Sequence, residues 1–246
     1  MDSIVLTGMI IKTSDVGESD RRVVILTKER GKITAFARGA KRPKSTLVSA
    51  TRLFVFGEFT LVEGSKSYSL IKADISRYFE DISTDLVAMC YGSYFLELAD
   101  FLTMENMESV EMLRLVYITL NSLLNEKIPD RLIKCIFELR CMVINGEYPQ
   151  VFECVACGKK EIRYFSFNRK GMLCRECGEK NRDSLLLDND IIYSMQYIIS
   201  SDIKKLYTFT VSENVLKNLE YIMKRLTGEW IKKDFKSLKI LETITT

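Results

Sequence analysis

Four cysteines in two matched pairs are the residues of this chain best suited to chemistry. They occur as Cys154-Val155-Ala156-Cys157-Gly158 and Cys174-Arg175-Glu176-Cys177-Gly178. Each pair is C-x-x-C, a spacing that lets one tight turn present two sulfurs to a single ion. The glycine after each pair is expected to permit that turn. Sixteen residues separate the pairs, inside the ~15–20 range of a four-cysteine zinc site. Between them, Arg163-Tyr164-Phe165-Ser166-Phe167 and Met172-Leu173 flank Asn168-Arg169-Lys170-Gly171, the pattern of a β-hairpin. The expectation is a zinc ribbon with Cys154, Cys157, Cys174 and Cys177 as ligands. Four thiolates close the shell, so one Zn²⁺ would be structural, with no position left for water. Lys159, Lys160, Lys170 and Arg175 are expected to offset the charge of about −2 on such a centre. A thioredoxin-type dithiol lacks the βαβ context here and would not require two matched pairs.

Other chemistries are excluded by what the sequence lacks. There is no histidine, which removes Ser-His-Asp and Cys-His catalysis and every imidazole base. No G-x-x-x-x-G-K-[ST] occurs, so ATP turnover is not expected. The remaining cysteines, Cys90, Cys135 and Cys141, fall at apolar helical positions and read as buried small hydrophobes. Glu97 and Asp100 share a helix face but read as a solvated flank. The chain is expected not to be an enzyme.

A second cluster is cationic. Lys28, Arg30, Lys32, Arg38, Lys41, Arg42 and Lys44 face one acid, Glu29, across seventeen residues. The alternating face Lys32-Thr34-Phe36-Arg38 sets an aromatic ring between cations, the chemistry of a single-strand platform on which phosphates meet cations and bases stack on the ring. Gly39-Ala40-Lys41-Arg42-Pro43-Lys44-Ser45 would add mobile phosphate contacts. The same residues also suit a solvated outer face with a half-covered Phe36.

The elements that must position these groups follow from composition and period. The chain has 246 residues, 47% hydrophobic and 28% charged, enough for a buried core. A net charge of +3 conceals +5 over 1–80, −6 over 81–150 and +4 over 151–246. Strands are expected at Ile4–Thr13, Arg21–Thr27, Lys32–Arg38, Leu53–Val62 and Ser67–Ile75, a set suited to a small closed barrel. The OB-fold is the five-stranded example, although period alone does not separate it from an SH3-like barrel. Helices are expected at Asp85–Leu102, Val110–Leu124 and Arg131–Asn145, with Asp130 as a cap and Gly146 as the stop. Two more follow at Asp188–Ser200 and Ser212–Trp230. The basic tail 232–241 is amphipathic and suits either partner contact or packing on the helices. The N-terminus lacks the basic and apolar regions of a signal peptide, and no run reaches the length of a membrane span, so a cytoplasmic protein is expected.

Several segments resemble one family. Gly17-Glu18-Ser19-Asp20, Thr27-Lys28-Glu29-Arg30-Gly31-Lys32 and Ala37-Arg38-Gly39-Ala40-Lys41-Arg42-Pro43-Lys44-Ser45 resemble the front end of the bacterial recombination mediator family RecO. The likeness continues through the ribbon, with Phe165-Ser166, to Phe235-Lys236-Ser237-Leu238, and so covers the chain in order. It implies an α+β multidomain protein: an N-terminal OB-fold (1–80), a helical body (81–150 and 183–246) and an inserted four-cysteine zinc ribbon (151–182). It also implies binding of single- and double-stranded DNA, annealing of complementary strands, and help in loading RecA onto DNA coated by single-strand-binding protein. The implied partners are RecR, in many bacteria RecF, and the acidic C-terminal tail of single-strand-binding protein, in the nucleoid. The DNA contacts would be Lys28, Arg30, Lys32, Phe36, Arg38, Lys41, Arg42 and Lys44. Without the resemblance, an RNA-binding barrel or a zinc-clipped interaction scaffold fits the same residues.

Overall fold

The computed structural model describes residues 3–244. Five β-branched, apolar-rich segments form β1 (Ser3–Val16), β2 (Asp20–Thr27), β3 (Gly31–Ala37), β4 (Phe56–Glu63) and β5 (Tyr68–Arg77). They close into a barrel of order β1-β2-β3-β5-β4, the five-stranded OB architecture. Every pairing is antiparallel except β3 with β5, which run parallel and meet only at Ala35–Tyr68 and Phe36–Ser69. Alternation along β3 puts Ile33, Ala35 and Ala37 inside with Ile10, Val23, Ile25, Phe59 and Leu61.

The run Val23-Val24-Ile25-Leu26 is apolar at every position because β2 is buried on both faces. Val23 and Ile25 fill the barrel; Leu26 and its cross-strand partner Met9 are fully buried on the opposite face. That second face is covered by α3 (Leu86–Leu102), packed on β1, and α4 (Val110–Leu123), packed on β2. Burial of a side chain of this size stabilises by about 1.5–3 kcal/mol. Two short helices, α1 (Leu47–Ala50) and α2 (Glu80–Thr84), lead into β4 and α3. Asp85 caps α3 by accepting from the Ala88 amide at 2.8 Å.

In the second half, α5 spans Asp130–Ile144. Asp130 sits within its first turn, after Pro129, instead of capping it, a position where a carboxylate still favours the helix dipole. Gly146 ends the helix at φ +72°. The Gly146 amide donates to Val143 O at 3.1 Å and the Glu147 amide to Met142 O at 2.9 Å, which is a Schellman motif. The ribbon follows as β6 (Tyr164–Ser166), β7 (Gly171–Leu173), α6 (Arg175–Gly178) and β8 (Ser184–Leu186), its sheet ordered β7-β6-β8. The hairpin is as expected; β8 adds a third strand. Then come α7 (Asn189–Ser200), a 3₁₀ turn at Ile203–Lys205, α8 (Glu213–Trp230) and α9 (Lys236–Ile244).

Packing groups these elements into two units. One contains the residues up to Leu124 and those from Asp234 onward; the other is Asn125–Lys233. The helices expected to form a single body therefore divide: α2–α4 and α9 go with the barrel, and α5, α7 and α8 with the ribbon. The tail joins the first unit because Phe235 inserts edge-on against Tyr94, at 5.4 Å, and Phe101, at 6.2 Å, which lie two helical turns apart on α3. In the second unit α5 packs on α7 and α8. Arg131 of α5 grips α8 through Glu220, with Nε 2.8 Å from one carboxylate oxygen, and through Glu213 at 3.0 Å. Among the described residues no helix is long and apolar enough to cross a membrane.

Candidate metal centre and nucleic-acid interface

The four cysteines of the two C-x-x-C turns meet in space. Their Sγ atoms all lie within 4.8 Å of one another, and Cys157 and Cys174 are 3.6 Å apart. Four sulfurs at ~2.3 Å from one ion would be separated by ~3.8 Å on a tetrahedron's edges, so the set fits a single tetrahedral cation. Cys154 and Cys174 are buried and Cys157 is exposed. Taken as thiols, Cys154 and Cys177 are pushed in opposite directions. Burial opposes ionisation of Cys154, yet hydrogen bonds from the amides of Cys174, Ala156 and Cys157 outweigh it and lower the thiol to about 6. Cys177 moves the other way, to about 12, first through its hydrogen bond with Cys174 and then Cys157. Amides aimed at sulfur are what a metal-bound thiolate requires.

The two glycines after the pairs make the same hydrogen bond and differ in what else makes them necessary. Gly158 takes φ +76° and lets its amide return to Cys154 O at 2.8 Å. Gly178 ends α6, and a Cβ there would meet the Tyr164 ring at 2.4 Å. Both glycines close their turns, because the Gly178 amide likewise returns to Cys174 O at 2.8 Å; Gly178 is required in addition by the close approach of Tyr164. The four cations expected near the thiolates each face a carboxylate: Lys159–Glu176 at 2.9 Å, Lys160–Glu153 at 2.7 Å, Lys170–Glu147 at 3.7 Å and Arg175–Glu179 at 2.9 Å. Cys90, Cys135 and Cys141 are buried away from the cluster, and burial raises all three thiols.

The barrel sorts its seven cations into two kinds. Lys32 lies on the outer face of β3, but its Nζ is 3.0 Å from Asp100 Oδ1 and 2.6 Å from Asp100 O. Arg30 donates to Glu63 at 3.1 Å and to the Tyr68 hydroxyl at 2.8 Å, and these contacts raise its pKa, the Tyr68 bond foremost. Lys41 reaches Asp15 at 2.9 Å. Lys28, Arg38, Arg42 and Lys44 are exposed, and among the described residues none of the four has an ion pair. Phe36 is half-buried on the outer face of β3.

The loop after β3 is tied down where mobility was expected. The Gly39 amide donates to Asp20 Oδ1 at 2.8 Å and the Lys41 amide to Ser19 O at 2.9 Å. Ala40 is fully buried, so the loop is anchored at its centre with Arg38, Arg42 and Lys44 projecting around the anchor.

Two family models match the chain end to end: "Recombination protein O N terminal" over residues 1–79 and "Recombination protein O C terminal" over 83–239. The chain belongs to the RecO family. It is 32% identical to the DNA repair protein RecO of Acetivibrio thermocellus, over 99% of this chain and 98% of that protein. The RecO of Caldicellulosiruptor saccharolyticus is 30% identical over 98% of each chain. That of Halalkalibacterium halodurans is 29% identical over 96% of this chain and 93% of its own. Membership places the chain among proteins of DNA repair and recombination.

The barrel also contains residues that no local sequence pattern singles out. Arg22 is exposed on β2 and stands in register opposite Phe36, so the ring has a cation beside it across the strands. Only the pairing register reveals this. The charge of Arg22 is visible in the sequence, but it precedes an apolar run and nothing local links it to residue 36. Asp100, read as solvated, is the partner of Lys32.

Proposed function

We propose that this RecO-family chain is a recombination mediator that binds single- and double-stranded DNA on the outer face of its barrel. It anneals complementary strands and assists RecA loading on DNA coated by single-strand-binding protein, acting with RecR and with RecF where present. The tail of single-strand-binding protein is a further partner, and the work is done in the nucleoid without covalent catalysis. The observation that carries the reading is the anchored loop that holds Arg38, Arg42 and Lys44 exposed and, among the described residues, without an ion pair, following the strand where Phe36 faces Arg22. Exposed cations on a fixed scaffold meet phosphates without first breaking an internal ion pair, and Phe36 offers a stacking surface. Lys28 stands exposed at the other end of the β2–β3 hairpin and offers a separate phosphate contact. Arg30, Lys32 and Lys41 hold the scaffold and contribute field more than contact. Cys154, Cys157, Cys174 and Cys177 hold one structural Zn²⁺, a metal that suits four thiolates in a closed shell.

The test is annealing of complementary strands coated with single-strand-binding protein, without ATP, at two salt concentrations. Acceleration that fades with salt is expected, because each neutralised phosphate releases a counterion. Reversing Arg38, Arg42 and Lys44 to Glu should weaken single-strand binding and flatten the log–log salt slope by about 2, at ~0.7 per phosphate. An unchanged slope would move the DNA contact off this loop. Annealing of naked strands alone would keep the DNA contact and remove the mediator role.

A further inference from the structure

The Asn125–Lys233 unit carries a cavity whose chemistry is opposite to that of a DNA contact. It measures about 380 Å³ and opens between the first two turns of α7, the loop 208–212 and the start of α8. Its walls include Tyr193, Tyr197 and Phe209, and the single charged group on them is the Asp190 carboxylate. No lysine or arginine lines it.

The rings form a corner. Tyr197 and Phe209 lie 5.0 Å apart at 71°, and Tyr193 flanks Tyr197 at 6.3 Å and 34°. Tyr197 and Phe209 stand edge to face, which fixes both rings, and Tyr193 adds a third ring to the same wall. The corner is built before any ligand arrives. The Tyr197 hydroxyl is 3.1 Å from Lys205 O and 3.2 Å from Thr208 Oγ1, and Thr208 itself donates to Lys205 O at 2.8 Å. These bonds pin the loop that carries Phe209 against α7. Tyr193 is 66% exposed, a large ring left open to solvent at the rim.

We propose that this cavity is a binding site for an organic cation: a guanidinium or alkylated ammonium group seated on Tyr193, Tyr197 and Phe209 and paired with Asp190. An anionic ligand has no countercharge on these walls, and a neutral apolar one supplies none to the Asp190 carboxylate. A cation on the open ring of Tyr193 gains from its quadrupole, and the exposed Asp190 carboxylate adds an ion pair. The same cation could arrive as a free small molecule or on an arginine side chain of a partner peptide.

The experiment uses the full zinc-loaded chain with ¹³C-labelled tyrosine and follows the ring resonances of Tyr193 and Tyr197. The probes are choline, its neutral isostere 3,3-dimethylbutan-1-ol, acetyl-Gly-Arg-Gly-amide, and the same peptide with citrulline for arginine. Both cationic probes should shift the two rings, and each should bind at least about fivefold more tightly than its neutral match. Asp190→Asn and Tyr193→Ala should each weaken the cation by about threefold to tenfold. Both sites are exposed, so the variants should melt with the parent. An arginine peptide at least tenfold tighter than choline identifies a protein-borne source, and the reverse a free one. Equal response to charged and neutral probes, or no loss in Asp190→Asn, overturns the proposal. So does an oligothymidylate that moves Tyr193 while the cations leave it still. The charge reversals at Arg38, Arg42 and Lys44 leave these resonances untouched, so failure here and failure of the DNA reading are separable.

Discussion

Lys32 of β3 is bound twice by Asp100 of α3, through the carboxylate at 3.0 Å and through the backbone carbonyl at 2.6 Å. Both side chains are about four-fifths covered, at 20% and 23% exposure, so this pair fastens helix to barrel. Lys32→Ala leaves a half-buried carboxylate and a carbonyl without their donor. Removing such a charged hydrogen bond should cost about 1–3 kcal/mol. Urea unfolding should register that loss while the salt slope of DNA binding stays as in the parent. A flattened slope with unchanged stability would make Lys32 a phosphate contact after all.

The Asp15–Lys41 pair gives the loop after β3 a dependence on acid. The hydrogen bond from Lys41 is the chief reason that the Asp15 carboxyl lies below its ordinary value, with the charges of Lys41 and Arg21 adding to it. A group whose folded pKa is depressed contributes stability that is present above the unfolded value, ~3.9 for Asp, and is lost as pH falls through the folded value. Carbon-detected titration should therefore find Asp15 titrating below ordinary aspartates, and Lys41→Met should return it towards them. A midpoint that Lys41→Met leaves unmoved would show that the pair is not formed in solution.

Gly158 and Gly178 should respond differently to alanine. Gly158 has open space around its missing Cβ, so Gly158→Ala meets only the left-handed backbone penalty, about 1–2 kcal/mol. Gly178→Ala puts a methyl group into the Tyr164 ring. Overpacking of that kind costs typically 1–3 kcal/mol and moves backbone. The expected signature is a faster zinc release to chelator in Gly178→Ala than in Gly158→Ala, read with a colorimetric zinc indicator. The reverse order would mean that the first turn is the stricter one.

Metal removal should unfold the ribbon instead of disabling a reaction. Elemental analysis is expected to give one zinc per chain. Cys154→Ser, or exhaustive chelation, should lower the melting temperature by about 10 °C or more, since structural zinc binding is folding free energy. A chain that melts unchanged without metal would mean that the four sulfurs are held by their surroundings alone.

How much of this was legible depended on how local the cause was. The alternation of β3, the doubly buried run 23–26, the stop at Gly146 and each C-x-x-C turn are set by neighbours a few residues away. The strand β8, three residues long, is too short to show a period, and its pairing with β6 comes from outside itself. The roles of Lys32 and Arg131 depend on partners 68 and 89 residues distant. Their charges are written in the sequence; their neighbours are not. That is why seven cations of one stretch looked alike and fall into two kinds in the folded chain.

The return of Phe235 and α9 to α3 has a consequence for biosynthesis. The hydrophobic seat formed by Tyr94 and Phe101 leaves the ribosome more than a hundred residues before the segment that covers it. Throughout translation of the Asn125–Lys233 unit that seat lacks Phe235, and the barrel's own unit is completed only after the whole of the other unit has been made. A nascent chain stalled before residue 234 would therefore show a chaperone the Tyr94 face of α3, which Phe235 packs against in the released protein.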